Sequence, residues 1–149
     1  MLKFLRTNSS HKDFIHLVKL LDADLAIRDG ADHSFYAQFN KVDMIQHVVL
    51  AYQNEEAIGC GAYKDFDDAT VEIKRMYVNP HQRGKGFATL ILKELERWAA
   101  EQNYTACILE TGKKQPEAIR LYEKSGYTII SNFGQYAGVE NSVCMTKQL

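Results

Sequence analysis

The chain contains little cysteine, proline or tryptophan. Its 149 residues include two prolines, one tryptophan and three cysteines. Because the cysteine count is odd, we expect no disulfide framework, and Cys60, Cys107 and Cys144 are predicted to be buried free thiols of a cytoplasmic protein. His33 and His47 are lone histidines without a partner at metal-ligand spacing, and three scattered cysteines do not indicate a zinc site, so no metal is expected.

Long hydrophobic runs and an excess of one charge are missing as well. No apolar stretch is long enough to cross a bilayer, and the first residues, MLKFLRTNSSHKDF, lack the features of a secretory signal. The formal net charge of −1 provides no electrostatic footprint for nucleic acid or an anionic membrane. We therefore expect no nucleic-acid and no membrane partner. Hydrophobic residues make up 46% of the chain, which suffices for one domain spanning residues 1–149.

The most informative stretch runs from residue 71 to residue 98, VEIKRMYVNPHQRGKGFATLILKELERW. Its β-branched and aromatic residues up to Val78 predict a strand. Asn79 and Pro80 end that strand, because proline has no N–H to donate to a sheet. Apolar side chains then recur three and four residues apart, as on one face of a helix: Phe87, Leu90, Ile91, Leu95 and Trp98.

The loop between this strand and this helix is suited to bind a phosphate or pyrophosphate. The first turn of a helix has N–H groups without internal partners, and the aligned peptide dipoles make that end positive. Gly84 and Gly86 permit positive φ and close approach of a large anion. Arg83 and Lys85 add positive charge, and Ala88 is small. A helix that merely starts after a flexible turn would show the same glycines, so both interpretations stay open on this loop alone.

Two segments together resemble the GNAT superfamily of N-acetyltransferases. Arg83-x-x-Gly86-x-Ala88 is similar to the coenzyme A loop of that family. Residues 115–127, QPEAIRLYEKSGY, are similar to its late helix, in which alanine, leucine-tyrosine and glycine-aromatic follow in order. The resemblance implies an α/β (mixed α+β) fold. Its centre would be a mixed, mostly antiparallel sheet of about seven strands, flanked by about four helices.

Patterns in the rest of the chain predict elements that fit this arrangement. Strands are predicted at residues 2–7, 47–52, 57–64, 71–78, 106–111, 127–130 and 142–147. A first helix carries an apolar face from Phe14 to Leu25, with Ser10 and Asp13 as its predicted cap. Residues 31–44 are a candidate for a short second helix. The two later helices are predicted to end at Asn103 and Gly126, and the strand from residue 106 is predicted to pair in parallel.

The resemblance also implies the chemistry: acetyl transfer from acetyl-CoA to a primary amine by direct attack within a ternary complex. The pyrophosphate of acetyl-CoA would be bound by Arg83, Gly84, Lys85, Gly86, Phe87, Ala88 and Thr89. The pantetheine arm would pair with the strand edge at Met76 and Val78, and a backbone N–H near Met76 would stabilise the oxyanion. Gln115 stands where the family often has asparagine, so its contact with the cofactor is left open.

Two residues are candidates for the catalytic groups. Tyr122 matches the family tyrosine that donates a hydrogen bond to the departing thiolate of CoA, and a tyrosine packed in the core is the other interpretation. Glu72 is the candidate base that deprotonates the amine, directly or through water, and a sheet-surface glutamate is its alternative. Because Glu72 lies four residues before Met76, alternation along a strand predicts both side chains on one face.

The acceptor amine is left open by the sequence. Residues 31–44 and 134–141 are expected to form its site, and a carboxylate such as Asp32 or Glu140 would attract a cationic acceptor. The acceptor is expected to be a small-molecule or peptide amine, and a homodimer is compatible with the resemblance. Three alternatives remain: a non-catalytic acyl-CoA-binding or sensing module, a longer acyl donor, or a protein amine as acceptor.

Overall fold

The computed structural model describes residues 1–30 and 44–149. Its seven strands are β1 (Leu2–Thr7), β2 (His47–Gln53), β3 (Glu56–Asp65), β4 (Thr70–Val78), β5 (Ala106–Gly112), β6 (Thr128–Ile130) and β7 (Ser142–Gln148). The α-helices of the described residues are α1 (Lys12–Asp29), α2 (Phe87–Glu101) and α3 (Pro116–Lys124), and short 3-10 helices span Pro80–Gln82 and Gly134–Tyr136.

The strands form one mixed sheet in the order β1-β2-β3-β4-β5-β7-β6. Every neighbouring pair is antiparallel except β4 and β5, which are parallel, as a strand that follows a crossover helix should be. The predicted seven-stranded, mostly antiparallel sheet is confirmed. Three α-helices lie in the described residues, against about four predicted, and the short helix suggested for residues 31–44 falls almost entirely outside them.

Apolar side chains cover the two faces of the sheet with different helices. The α2 face packs against α2 and includes Val49, Ile58, Tyr63, Val71 and Ile73, in contact with Ile91, Leu92 and Leu95. The α1 face packs against α1 and includes Val48, Leu50, Cys60, Ala62 and Tyr77, in contact with Phe14, Leu17, Val18 and Leu21. Alternating residues along each strand therefore point into separate cores.

The helix ends agree with the sequence prediction in two places and differ in one. Asn103 (φ +72°) and Gly126 (φ +98°) take the left-handed conformation just beyond α2 and α3, as predicted. The prediction that Ser10 caps α1 is wrong, because His11 is the cap and its Nδ1 accepts from the Asp13 N–H at 3.1 Å. The Ser10 hydroxyl and N–H both donate to the side chain of Asn8 instead.

The three cysteines are free and buried, as predicted. Burial raises the pKa of the Cys60 thiol to about 12, so this side chain behaves as a small apolar group. None of the helices in the described segments combines the length and the apolar character that a membrane span requires.

The parallel strands β4 and β5 pair only at their beginnings. Three residue pairs join them, ending at Glu72 opposite Ile108. Beyond this point β4 continues beside β3 as far as Val78, whereas β5 continues beside β7 as far as Gly112. The two strands thus separate after Glu72, and a gap opens in the middle of the sheet.

A β-bulge interrupts β4 next to this gap. Tyr77 lies opposite Cys60 and Lys74 lies opposite Ala62, so two residues of β4, Arg75 and Met76, share one opposing residue of β3. Arg75 has φ +60°, a left-handed value that is uncommon outside glycine. The extra residue resets the alternation of side chains along the strand.

The bulge overturns the expectation that Glu72 and Met76 share one face. Glu72 pairs with Lys64 two positions from Ala62, which places its side chain on the α1 face. The Met76 sulfur lies over Gly61 beside Leu95, on the α2 face. Side chains four residues apart share a face only in a regular strand, and the inserted residue of the bulge makes β4 irregular between Glu72 and Met76.

Candidate active site

A cleft of about 550 Å³ occupies the gap between β4 and β5 and extends to the start of α2. Of the twelve residues predicted for the site, eleven line it: Glu72, Met76, Val78, Arg83, Gly84, Gly86, Phe87, Ala88, Thr89, Gln115 and Tyr122. Lys85 does not belong to the lining, because its exposed ammonium group donates to Gln82 Oε1 at 3.1 Å. The strand, the loop and the late helix identified in the sequence thus meet at one cavity.

The start of α2 presents backbone donors to the cleft. Gly86 is the N-terminal cap residue with φ +84°, and no side chain of the described residues caps the helix. The first bond within the helix joins the Leu90 N–H to the Gly86 carbonyl at 3.2 Å, so the N–H groups before Leu90 have no helical partner. A Cβ atom placed on Gly84 or Gly86 would meet no atom within 4 Å. This open, positively polarised end fits a pyrophosphate.

The end of β4 has its polar backbone groups turned toward the gap. The Asn79 N–H donates to the Ile58 carbonyl of β3 at 2.8 Å. Because backbone groups alternate along a strand, those of Val78 point to the opposite edge, where the Val78 carbonyl accepts from Arg83 Nε at 2.8 Å. Met76 belongs to the bulge, and we expect its backbone groups to point the same way because it lies two residues before Val78. The edge at Met76 and Val78 can therefore pair with the amides of an extended ligand.

Ion pairs connect the helices around the mouth of the cleft. Arg28 of α1 pairs with Glu117 of α3 and also with Asp24. Arg83 Nη2 lies 3.8 Å from Asp24 Oδ2, and its guanidinium stacks 5.4 Å from the centre of the Tyr77 ring. Asp24 thus holds two arginines near the loop, where their charge can face an anionic ligand.

Tyr122 reaches the cleft from α3, on the α2 face. Its side chain is buried, and its ring packs edge-on against Tyr127 with centres 5.7 Å apart. Burial, and secondarily the negative charge of Glu110, raises the pKa of the Tyr122 phenol well above its usual range. The hydroxyl forms no hydrogen bond with any residue of the described segments, so it remains a protonated donor for a ligand in the cleft.

Glu72 enters the cleft from the opposite, α1 face. Its carboxylate is buried, and Oε2 lies 3.9 Å from the Lys74 ammonium, beyond hydrogen-bonding distance. Burial lowers the pKa of Lys74, and the Glu72 carboxylate opposes that effect. Burial raises the pKa of Tyr136, and the carboxylates of Glu110 and Glu72 raise it further. These four side chains form a polar floor of the cleft.

Gln115 stands at the start of α3 and is the cap residue there, although its side chain caps nothing. Its amide lies beside Gly112, where an added Cβ would approach Nε2 to 3.5 Å. This position is within the cleft, and the contact with a cofactor stays a prediction.

Several residues of the cleft were not found in the sequence. Lys74 and Arg75 carry no local signal, because the bulge that aims them is not marked by glycine or proline. Glu110 is a charged residue that directly follows buried Leu109 near the end of β5. A charged residue in this position is only a weak indication of a functional site. Tyr136 lies in the loop 134–141 that was expected to contribute to the acceptor site, whereas Glu140 is exposed and does not line the cleft. Asp32 lies outside the described residues.

A profile of the acetyltransferase (GNAT) family matches residues 15–127. This segment contains the cleft loop, the separated strands and the whole late-helix motif. The match spans well over half of the chain, and it includes both segments on which the resemblance was based.

Individual relatives agree with this match. An uncharacterized N-acetyltransferase of Bacillus subtilis strain 168, YsnE, is 36% identical over 101 residues, which cover 66% of this chain and 67% of the relative. A crystal structure from Klebsiella pneumoniae, assigned to the acyl-CoA N-acyltransferases, has a TM-score of 0.84 at 27% identity and covers 100% of this chain and 98% of that one. A GNAT acetyltransferase of Elizabethkingia anophelis with acetyl-CoA bound has a TM-score of 0.70 at 20% identity over 99% of this chain and 98% of that one, which indicates a shared fold.

Proposed function

The chain belongs to the GNAT acetyltransferase family, and on that premise we propose that it transfers the acetyl group of acetyl-CoA to a primary amine. One observation carries the proposal. A single cleft joins the open helix start at Gly86 to Glu72 and Tyr122 through the gap between β4 and β5. A cosubstrate bound at the loop would therefore extend its thioester to the two candidate catalytic groups.

The residues of the cleft fit acetyl-CoA, which would supply the acetyl thioester. The N–H groups at the start of α2 and the guanidinium of Arg83 would bind the pyrophosphate. The backbone edge at Met76 and Val78 would pair with the amides of the pantetheine arm. Acetyl-CoA is present in a structural neighbour of the same fold, and this supports the same cosubstrate here.

Glu72 and Tyr122 would act from opposite faces of the sheet. A primary amine arrives mostly protonated near neutral pH, and Glu72 would take its proton directly or through one water. Tyr122 would donate its hydroxyl proton in a hydrogen bond to the departing sulfur, which the raised pKa of the phenol permits without ionisation. The Met76 N–H would face the carbonyl oxygen of the acetyl group.

The test is a thiol-release assay with acetyl-CoA against amino acids, polyamines, aminoglycosides and lysine peptides. We expect wild-type protein to turn over one class, and Tyr122→Phe to lower kcat on the order of a hundredfold with acetyl-CoA affinity nearly unchanged. Tyr104→Phe is the matched control, since it removes a hydroxyl outside the cleft and should leave kcat within about twofold.

Three other results would change this proposal. Binding of acetyl-CoA without turnover of any amine would indicate a non-catalytic acyl-CoA-binding module. Faster thiol release from propionyl-CoA or longer thioesters than from acetyl-CoA would indicate a different acyl donor. Unfolding of Tyr122→Phe, followed by circular dichroism, would indicate that the tyrosine serves packing.

A further inference from the structure

A wall of four charged residues on the α1 face of the cleft is not explained by acetyl-CoA binding. We call Glu72, Lys74, Arg75 and Glu110 the charged wall; all four line the cleft. Two are cations and two are carboxylates. Side chains of this kind are rarely enclosed unless each charge is matched by an opposite one.

Among Glu72, Lys74 and Arg75, the Arg75 side chain is the least exposed to solvent, at 3% of its area. Its Nη1 donates to Asp22 Oδ1 of α1 at 2.8 Å. Its Nη2 is buried and has no hydrogen-bond partner among residues 1–30 and 44–149. An enclosed guanidinium nitrogen without an acceptor is unfavourable, and a bound ligand would supply the acceptor that residues 1–30 and 44–149 do not.

The bulge in β4 is the reason that two cations stand side by side. In a regular strand, consecutive side chains point to opposite faces. Here Lys74 faces α1 opposite Ala62, and Arg75 also faces α1, where it reaches Asp22. The left-handed backbone of Arg75 at φ +60° maintains this arrangement. A strained backbone that doubles positive charge at one point of a cleft fits the recognition of an anion.

We propose that the acceptor is an amino acid, with its amine at Glu72 and its carboxylate at Arg75 and Lys74. This inference rests on the acetyl transfer proposed above and names its substrate class. A planar carboxylate suits the guanidinium of Arg75, and the Lys74 ammonium adds a second donor. An acceptor with amines alone would place its charge against these two enclosed cations.

The reaction is balanced with these groups. The amine nitrogen forms a bond to the acetyl carbonyl carbon as the carbon–sulfur bond breaks, and the electron pair of that bond leaves with sulfur. Glu72 takes one proton from the ammonium form of the acceptor and passes it to solvent. The second proton, which the nitrogen loses as the amide forms, ends on the sulfur of CoA. The products are an N-acetyl amino acid and CoA.

The test compares each acceptor with a partner that lacks only the carboxylate charge. The panel consists of the twenty L-amino acids, β-alanine and γ-aminobutyrate, each measured beside its carboxamide in the thiol-release assay. We expect at least one acid to exceed its amide at least tenfold in kcat/KM. The amide keeps the side chain, and its amine is less basic than that of the acid, so a preference for the acid reports recognition of the carboxylate.

Substitutions in the charged wall test which residues bind the carboxylate of the acceptor. Arg75→Gln and Lys74→Gln should each lower the ratio of acid to amide about tenfold or more, with acetyl-CoA affinity kept. Lys64→Gln is the matched control: this exposed lysine lies on β3 opposite Glu72 and outside the cleft lining, so its loss should leave the ratio unchanged. If Arg75→Gln does not fold, Lys74→Gln and the wild-type ratio still decide the question.

Failure of this inference and failure of the proposed function give different results. Equal turnover of acids and amides, or equal ratios in wild type and in Arg75→Gln, would overturn the amino-acid acceptor and keep the acetyltransferase. If no acceptor is turned over, calorimetry of the same amino acids with the CoA-bound protein decides: binding that Arg75→Gln abolishes supports the site, and no binding of any amino acid overturns it.

Discussion

The two ends of the cleft are made of different parts of the chain. The end at Gly84 and Gly86 is made of backbone: N–H groups of the first helical turn, left-handed glycines and open space beside them. The end at Glu72 and Arg75 is made of enclosed charged side chains that come from β4 and β5. One end therefore depends on conformation, and the other depends on the identity of individual side chains.

This difference tells what each end is able to recognise. Backbone N–H donors at a helix start bind any phosphate of suitable shape, because they recognise its negative charge and do not distinguish other features of the ligand. Enclosed side chains of both signs select by the position of each charge on the ligand. We infer that the loop end serves a constant cosubstrate and that the charged wall determines which acceptor is used.

The largest effect on kcat should come from substituting Glu72, the proposed proton acceptor at the charged end of the cleft. Glu72→Gln keeps the shape of the residue and removes its basicity, so kcat should fall on the order of a hundredfold to ten-thousandfold, with acetyl-CoA affinity nearly unchanged. Steady-state kinetics and calorimetry measure the two quantities. Glu110→Gln removes the other carboxylate of the charged wall, and a larger loss in that variant would transfer the role of base to Glu110.

A substitution at the backbone end should separate conformation from contact. Gly86→Val places a β-branched residue at φ +84° and directs its side chain into the open space of the loop. We expect a loss of stability of about 1–2 kcal/mol and a drop in acetyl-CoA affinity on the order of a hundredfold. Thermal unfolding and calorimetry are the measurements.

Gly138→Val is the matched control for this substitution. Gly138 has φ +77° with equally open surroundings, and it does not line the cleft. It should lose similar stability and keep acetyl-CoA affinity. Equal affinity losses in the two variants would show that the loop glycine matters for folding rather than for binding.

Two neighbouring cations of the loop should differ in importance. Arg83 lines the cleft, whereas Lys85 is exposed and bonded to Gln82. Arg83→Ala should weaken acetyl-CoA binding about tenfold or more, and Lys85→Ala by less than about twofold at physiological salt. A larger effect at Lys85 would show that the loop closes over the ligand in a different conformation.

The smallest expected effect is an absence of pH dependence in one ratio. Burial and the Glu110 charge raise the pKa of Tyr122, so its hydroxyl keeps its proton, and its capacity to donate, as the pH rises through 10. The ratio of wild-type kcat to Tyr122→Phe kcat should therefore stay constant from pH 7 to pH 10. A decline of that ratio with a midpoint near 10 would show that the phenol ionises at its ordinary pKa.

The same contrast explains what could be predicted from the sequence. The loop and the late helix depend on short-range requirements, such as glycine at positive φ and a helix that ends at Asn103 or Gly126. Such requirements can be recognised in the amino-acid sequence. The strands follow from alternating and β-branched residues. The sheet was predictable for these reasons, and the motif that contains Tyr122 predicted its position in the cleft.

The charged wall was not predictable, for a physical reason. Lys74 and Arg75 look like ordinary neighbours that should point to opposite faces, and only the inserted residue of the bulge turns both toward α1. The opposing strand determines where that residue is accommodated, and this is a long-range effect. His11 likewise replaces Ser10 as the cap of α1, because Asn8 accepts the hydrogen bonds of Ser10.

The early separation of β4 from β5 has a consequence for hydrogen exchange. Only three residue pairs join the two halves of the sheet. From alternation along β4 we expect the amides of Met76 and Val78 to face the gap. Without ligand these hydrogens should exchange with deuterium quickly although they belong to a central strand. A ligand that lies along the edge would act as a temporary strand, and the slowing of exchange at these two amides would trace its path residue by residue.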